Sequence, residues 1–159
     1  MRFTLDEIFA MAEEIERNGV RFYRRAAALD PDHRALFTEL ADWEVGHERL
    51  FQRMRAELVT PELEFSPTFD PENEAELYLQ ALAEQHVFRR DLDVEALVER
   101  AGDARRVILL AMDFERDSIV FYLGMKAVLP AGASRDGVDR LIKEEMGHIA
   151  HLGQQLAAL

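Results

Sequence analysis

Two short stretches, "EVGH" (Glu44 to His47) and "EMGH" (Glu145 to His148), each place a carboxylate three residues ahead of an imidazole. Residues three apart on a helix share a face, so each pair offers one oxygen and one nitrogen to a common point. Two further stretches, "EIERNGVRFY" from Glu14 and "DFERDSIVFY" from Asp113, lie 99 residues apart and align Glu16 with Glu115 and Tyr23 with Tyr122. "EVGH" and "EMGH" lie 101 residues apart. Glu16, Glu44, His47, Glu115, Glu145 and His148 thus repeat as a set, in or at the edge of apolar stripes, which core packing alone does not require. Four carboxylates and two imidazoles converging inside a helical bundle are a donor set for two metal ions. Charge argues the same way. Four ionised carboxylates buried together repel and lose their hydration, and two divalent cations cancel their charge.

With 31 Asp and Glu in 159 residues, about one of the five histidines should follow an acid at this spacing by accident. His33, three residues after Asp30, reads as that accident because it sits at a helix start. His86 and His151 have no such acid. His47 and His148 both have one, at matched positions of the repeat.

The elements that carry these residues read as helices, because apolar positions follow a period near 3.6 rather than 2. Thr4 with Glu7 makes a capping-box pattern. Ile8, Ala12, Ile15, Gly19, Phe22, Ala26 and Leu29 continue it as a helix over 5–29. Asp30 and Pro31 open a second over 31–58, with a stripe of Leu36, Leu40, Trp43, His47, Leu50 and Met54. "VTPELEFSPTFDP" reads as a connection. A third helix spans 71–90, and a short one follows Asp93. Asp103 caps a helix to 129, which Pro130 stops, and Ser134 caps the last. The predicted fold is all-α: an antiparallel four-helix bundle of two similar hairpins, 4–58 and 103–158. It forms a single domain over 1–159, with an extra helix in the connection 59–102.

Composition narrows the partners. A net charge of −12 disfavours nucleic acid and anionic membrane. The absence of cysteine excludes disulfides, thiolate zinc sites, iron–sulfur clusters and cysteine nucleophiles. The N-terminus turns acidic too early for a signal peptide, and no apolar run reaches membrane-spanning length. A cytoplasmic location is therefore expected.

On its four motifs the sequence resembles the ferritin-like superfamily of di-iron carboxylate proteins, and within it the rubrerythrin-like proteins, over the four long helices. The resemblance implies that Glu44 and Glu145 bridge two metal ions, with Glu16, His47, Glu115 and His148 as terminal ligands. It also places Tyr23 and Tyr122 near the centre, as candidate catalytic hydroxyls. Oxygen-rich ligation with two imidazoles suits iron first, with manganese or zinc as alternatives. Two departures stand out. Rubrerythrin proper carries a cysteine-ligated rubredoxin domain, which this chain lacks, and an extra glutamate one turn from the ligand on its third bundle helix. Here Met112 and Ser118 flank Glu115, and Glu13, the nearest counterpart, is expected to be solvated.

Other residues take plainer readings. Gly46 and Gly147 are expected to allow close helix packing, and Gly19 with Ser118 to leave a small cavity by the metals. Trp43 is expected in the core and His151 at or near the surface, while Glu84 and His86 share no helix face. The first functional reading is an oxidoreductase that reacts with O2 or peroxide, or oxidises Fe(II), with electrons from a separate donor protein or from Fe(II) itself. The alternative is a non-catalytic iron-binding protein for storage or sensing. A helical interaction module with a vestigial site is disfavoured because all six donors are present. Leu77, Tyr78, Leu79, Leu82, Val87 and Phe88 lie outside the repeat and suggest a homodimer.

Overall fold

A computed structural model describes residues 3–58, 72, 74–83, 93–129 and 131–159, helices and their connections, with an isolated bridge at Thr4 and no strand among them. The helices are α1 (Leu5–Leu29), α2 (Arg34–Ala56), α3 (Glu74–Ala83), α4 (Val94–Ala101), α5 (Ala104–Val128) and α6 (Ala133–Ala158). The expected proline-rich connection, the far end of the third helix with Glu84, His86, Val87 and Phe88, and the stop at Pro130 lie outside the described residues.

Local chemistry sets most boundaries. Thr4 and Glu7 form the capping box in full, and the side chains of Asp93 and Asp103 accept amide bonds from Ala96 and Arg106. Two caps differ from expectation. Asp30 accepts from the amides of Asp32 and His33 at 3.1 and 3.2 Å, closing a turn ahead of α2, which therefore starts at Arg34 rather than at Pro31. Ser134 lies inside α6, because Gly132, at φ 143°, takes the cap position and has no side chain to bond.

α1 packs along α2 and α5 along α6, and the backbones of the two hairpins stay further apart, leaving a gap that side chains fill. The apolar part of that gap is split in two. At one end Ile8, Phe9, Phe51, Phe121, Met125, Val138 and Leu141 form a core. At the other, Phe22, Phe37, Leu40, Ile108, Ala111 and Leu152 form a second. Early α1, late α2, late α5 and early α6 share the first core, so the four helices run antiparallel within each hairpin. It also follows that α2 ends at the opposite end of the bundle from where α5 begins. The connection must therefore travel the length of the bundle. It deposits α3 on the first core through Leu79 and Leu82 and α4 on the second through Val94 and Val98. Arg21 clamps α4 to α1 by two bonds to Glu95, at 3.0 and 2.7 Å, and Arg25 bonds Glu99 one turn later.

Among the described residues no helix is long and apolar enough to cross a membrane.

Candidate metal centre

Between the two apolar cores lies a polar layer. Glu16 reaches it from α1, Glu44 and His47 from α2, Glu115 from α5, and Glu145 and His148 from α6. Each is at most 5% exposed. The heptad-like stripes that bury the cores carry these side chains inward at the mid-height of each helix. The structure brings all six predicted donors together in two overlapping groups: Glu16, Glu44, His47 and Glu145, and Glu44, Glu115, Glu145 and His148. Within each group the donor atoms lie within 4.8 Å of one another. Glu44 and Glu145 belong to both, and each remaining residue belongs to one.

Both imidazoles aim Nδ1 into the layer. His47 Nδ1 lies 3.0 Å from Glu145 and 3.5 Å from Glu16, and His148 Nδ1 lies 2.8 Å from Glu145 and 3.5 Å from Glu115. Yet Glu44 Oε1, both Glu145 oxygens, His47 Nδ1 and His148 Nδ1 are buried without a hydrogen-bond partner of acceptable geometry. Buried polar atoms almost always have partners. Five orphans converging on one layer, all of them metal-ligating atom types, fit a pair of cations.

The other two carboxylates are braced crosswise. Tyr23 of α1 donates its hydroxyl to Glu115 of α5, and Tyr122 of α5 donates to Glu16 of α1. Each phenol thus holds Oε1 of the glutamate on the opposite hairpin. Both tyrosines are buried and hydrogen-bonded to a carboxylate of the layer.

The ionisation pattern follows from crowding. Burial, and then the negative charge of Glu44, pushes Glu16 and Glu115 well above the usual carboxylate range. Burial and the facing glutamates also push both phenols up. Glu44 goes the other way: burial works to raise it, but contacts from Glu16, His148 and His47 outweigh that. Burial works to lower both histidines, and the surrounding carboxylates overcome it, so His47 is raised and His148 is pushed up to about 12. In the absence of cations, protons on the imidazoles and on Glu16 and Glu115 take up their neutralising role.

The layer has a closed side and an open one. Between α1 and α5 a cavity of about 20 Å³ is lined by Gly19, Tyr23, Glu44, Glu115 and Ser118, room for about one water molecule. This is the small cavity expected at Gly19 and Ser118. Between α2 and α6 a cleft of about 550 Å³ runs past Trp43, Gly46, Arg53, Arg140, Gly147 and the two histidines. A Cβ added at Gly46 or Gly147 would meet nothing within 4 Å. These glycines therefore border open space and do not serve close helix packing, as the sequence had suggested.

Two further expectations are corrected. Trp43 is 38% exposed rather than core, because the cleft leaves one face uncovered; its other face stacks on His148, with centroids 4.8 Å apart and planes 11° apart. Glu13 is buried rather than solvated, held by Arg55 at 3.3 Å, and so supplies no extra carboxylate to the layer. Sequence reasoning also missed Glu144, whose Oε2 lies 2.9 Å from His47 Nε2. The paired acids of "KEEMGH" were its visible signal. His151, half-buried, meets the edge of Trp43.

No family model matches the sequence, and no curated protein does. A crystal structure of a protein from Thermotoga maritima, assigned as a ferritin-like diiron-carboxylate protein, is similar over 99% of this chain and 97% of that one. The TM-score is 0.74 at 20% identity. The all-helical fold predicted from the sequence is accordingly a ferritin-like helical bundle, with a buried carboxylate and histidine cluster at its centre.

Proposed function

We propose that the chain is a dinuclear metal carboxylate protein, with iron as the metal, acting as an oxidoreductase of the rubrerythrin-like kind. The observation that carries this reading is the set of five buried, unpartnered donor atoms in two groups that share Glu44 and Glu145. Glu44 and Glu145 would bridge, Glu16 and His47 would complete one ion's protein ligands, and Glu115 and His148 the other's. The Thermotoga protein's assignment as diiron-carboxylate agrees with iron.

A bound iron pair would pass electrons to O2 or peroxide, and further Fe(II), oxidised in turn, could return electrons to the pair. The chain's own residues do the rest. Tyr23 and Tyr122 hold a proton at their hydroxyls against Glu115 and Glu16, which fixes one oxygen of each carboxylate and frees the other. The two apolar cores exclude water from above and below the layer, and the α2–α6 cleft leaves a path for cations or oxidant. With no cysteine in the chain, electrons come from an external donor protein or from Fe(II) itself.

Metal analysis of protein expressed with iron and manganese supplied, followed by visible spectra before and after peroxide, tests the reading. About two irons per chain with a peroxide-dependent spectral change support it. Iron without turnover would favour storage or sensing, and no metal would remove both. Self-association is also proposed. Leu79 and Leu82 are spent on the chain's own core, but Leu77 and Tyr78 on the same helix are 61% and 40% exposed. A monomer in sedimentation at micromolar concentration would remove the homodimer.

A further inference from the structure

The repeat makes the two halves of the metal layer alike in almost every respect. Each has one terminal glutamate braced by a tyrosine from the opposite hairpin, one histidine aimed through Nδ1, and the two shared carboxylates. On the open side the halves part company at the residue that meets each histidine ring. The residue before Glu145 is Glu144, and the residue before Glu44 is Trp43. Glu144 meets His47 Nε2 at 2.9 Å across the cleft. Trp43 lies flat on His148 and offers that ring a π face instead of a carboxylate.

From this, and resting on the dinuclear reading above, we propose that Glu144 and Trp43 make the two half-sites unequal, so that a divalent cation fills the His47 half first and the His148 half exchanges more readily. A carboxylate on the outer nitrogen of a ligating imidazole holds the ring in place, fixes the proton on Nε2, and makes the inner nitrogen a better donor. Loss of such a partner typically costs about 10- to 100-fold in metal affinity. Stacking on an indole restrains the ring's plane but neither selects its tautomer nor adds charge. Two details temper the effect without reversing it. Glu144 is about half exposed, and Arg140 stands 3.7 Å from its other oxygen, so the advantage sits at the low end of that range. The cavity on the closed side adds to the asymmetry. It touches Glu115 and Tyr23 of the His148 half and neither Glu16 nor Tyr122, so the space for a water or an exchanging ligand lies beside the weaker half.

Glu144 is thus a positioning residue, acting through His47. The test is crystallographic and uses Mn(II) as probe: crystals of the full chain grown with less than one equivalent, read by anomalous scattering at the two half-sites. The wild type should show more density between Glu16 and His47 than between Glu115 and His148. Glu144→Gln, a change at a half-exposed position that keeps the side chain's length, should bring the two occupancies close to equal. In solution the same variant should weaken the tighter step of a Mn(II) titration by about tenfold and leave the weaker step in place. Equal occupancy in the wild type, or an unchanged inequality in Glu144→Gln, would overturn the inference while leaving the dinuclear site intact. Absence of density at both half-sites in the wild type, even with excess Mn(II), would overturn the dinuclear reading and this inference together.

Discussion

The helix pair α1 and α5 and the pair α2 and α6 surround the same polar layer and treat it differently. α1 and α5 close their side: each gives one glutamate, braced by a tyrosine of the other, around a cavity barely large enough for a water. α2 and α6 leave theirs open: they give both shared carboxylates and both histidines, and the cleft between them reaches the imidazoles. Glycine marks both sides with opposite meaning. A Cβ on Gly19 would come within 3.1 to 3.3 Å of the Glu44 carboxylate arm, whereas Gly46 and Gly147 face nothing. The closed pair supplies two braced glutamates, and the open pair supplies the other four donor residues and the cleft that reaches them.

The largest expected effect separates shared from unshared carboxylates. Glu44→Ala or Glu145→Ala should empty most of the site, because each removes a donor from both groups. Glu16→Ala or Glu115→Ala should leave close to one metal per chain. Elemental analysis decides it, and equal losses in all four variants would break the distinction between bridging and terminal ligands.

A smaller effect probes the bracing. Tyr23→Phe leaves Glu115 Oε1 without its buried donor, a loss of about 1–3 kcal/mol. In a chain of this size that is roughly 2–12 °C in melting temperature, and Tyr122→Phe should match it through Glu16. A melt unchanged by either would mean the phenols do not hold the carboxylates.

The smallest effect sharpens the contrast between glycines. Gly147→Ala should stabilise by up to about 1 kcal/mol through helix propensity, with metal binding unchanged. Gly19→Ala gains the same propensity but must displace Glu44 by a few tenths of an ångström, so metal affinity should fall. Denaturant melts and metal titrations of the two variants read the difference directly.

How legible this was follows a physical line. Features set by local chemistry, such as the capping box at Thr4 and the caps at Asp93 and Asp103, were visible from residue order. The inward stripes and the doubled Glu-x-x-His pattern pointed to the six donors, because spacing on a helix determines facing. What was not visible depended on how far apart the helices stand. Gly147 in a tight crossing and Gly147 beside a cleft have the same sequence, and only the α2–α6 separation tells them apart. The same separation decides that Trp43 is half uncovered and that Glu144 reaches His47. Glu13 was misread because its partner, Arg55, lies 42 positions away on α2. Asp30 satisfied the amides of a turn where a helix start was expected.

The central claim, that this layer is a site where metal and protons compete, has a sign that can be checked. Glu16 and Glu115 have folded values raised above the unfolded 4.5. Their contribution to stability is therefore full below that value and is lost as pH rises through the folded values. Glu44, held low, contributes above 4.5 and loses its part only in stronger acid. Both histidines are raised above 6.5, so their contribution is full below that and is lost only as pH rises through their high folded values. The metal-free bundle should thus lose stability between pH 5 and pH 7.5, and metal, which must displace those protons, should restore more at the higher pH. At a hundredfold excess over Kd the gain is about 2.7 kcal/mol, or roughly 5–11 °C. The decisive measurement is a set of thermal melts with anaerobic iron(II) and with chelator, at pH 7.5 and pH 5. The account predicts a clear metal-dependent rise at pH 7.5 and a much smaller one at pH 5. An equal rise at both, or none at either, would contradict it.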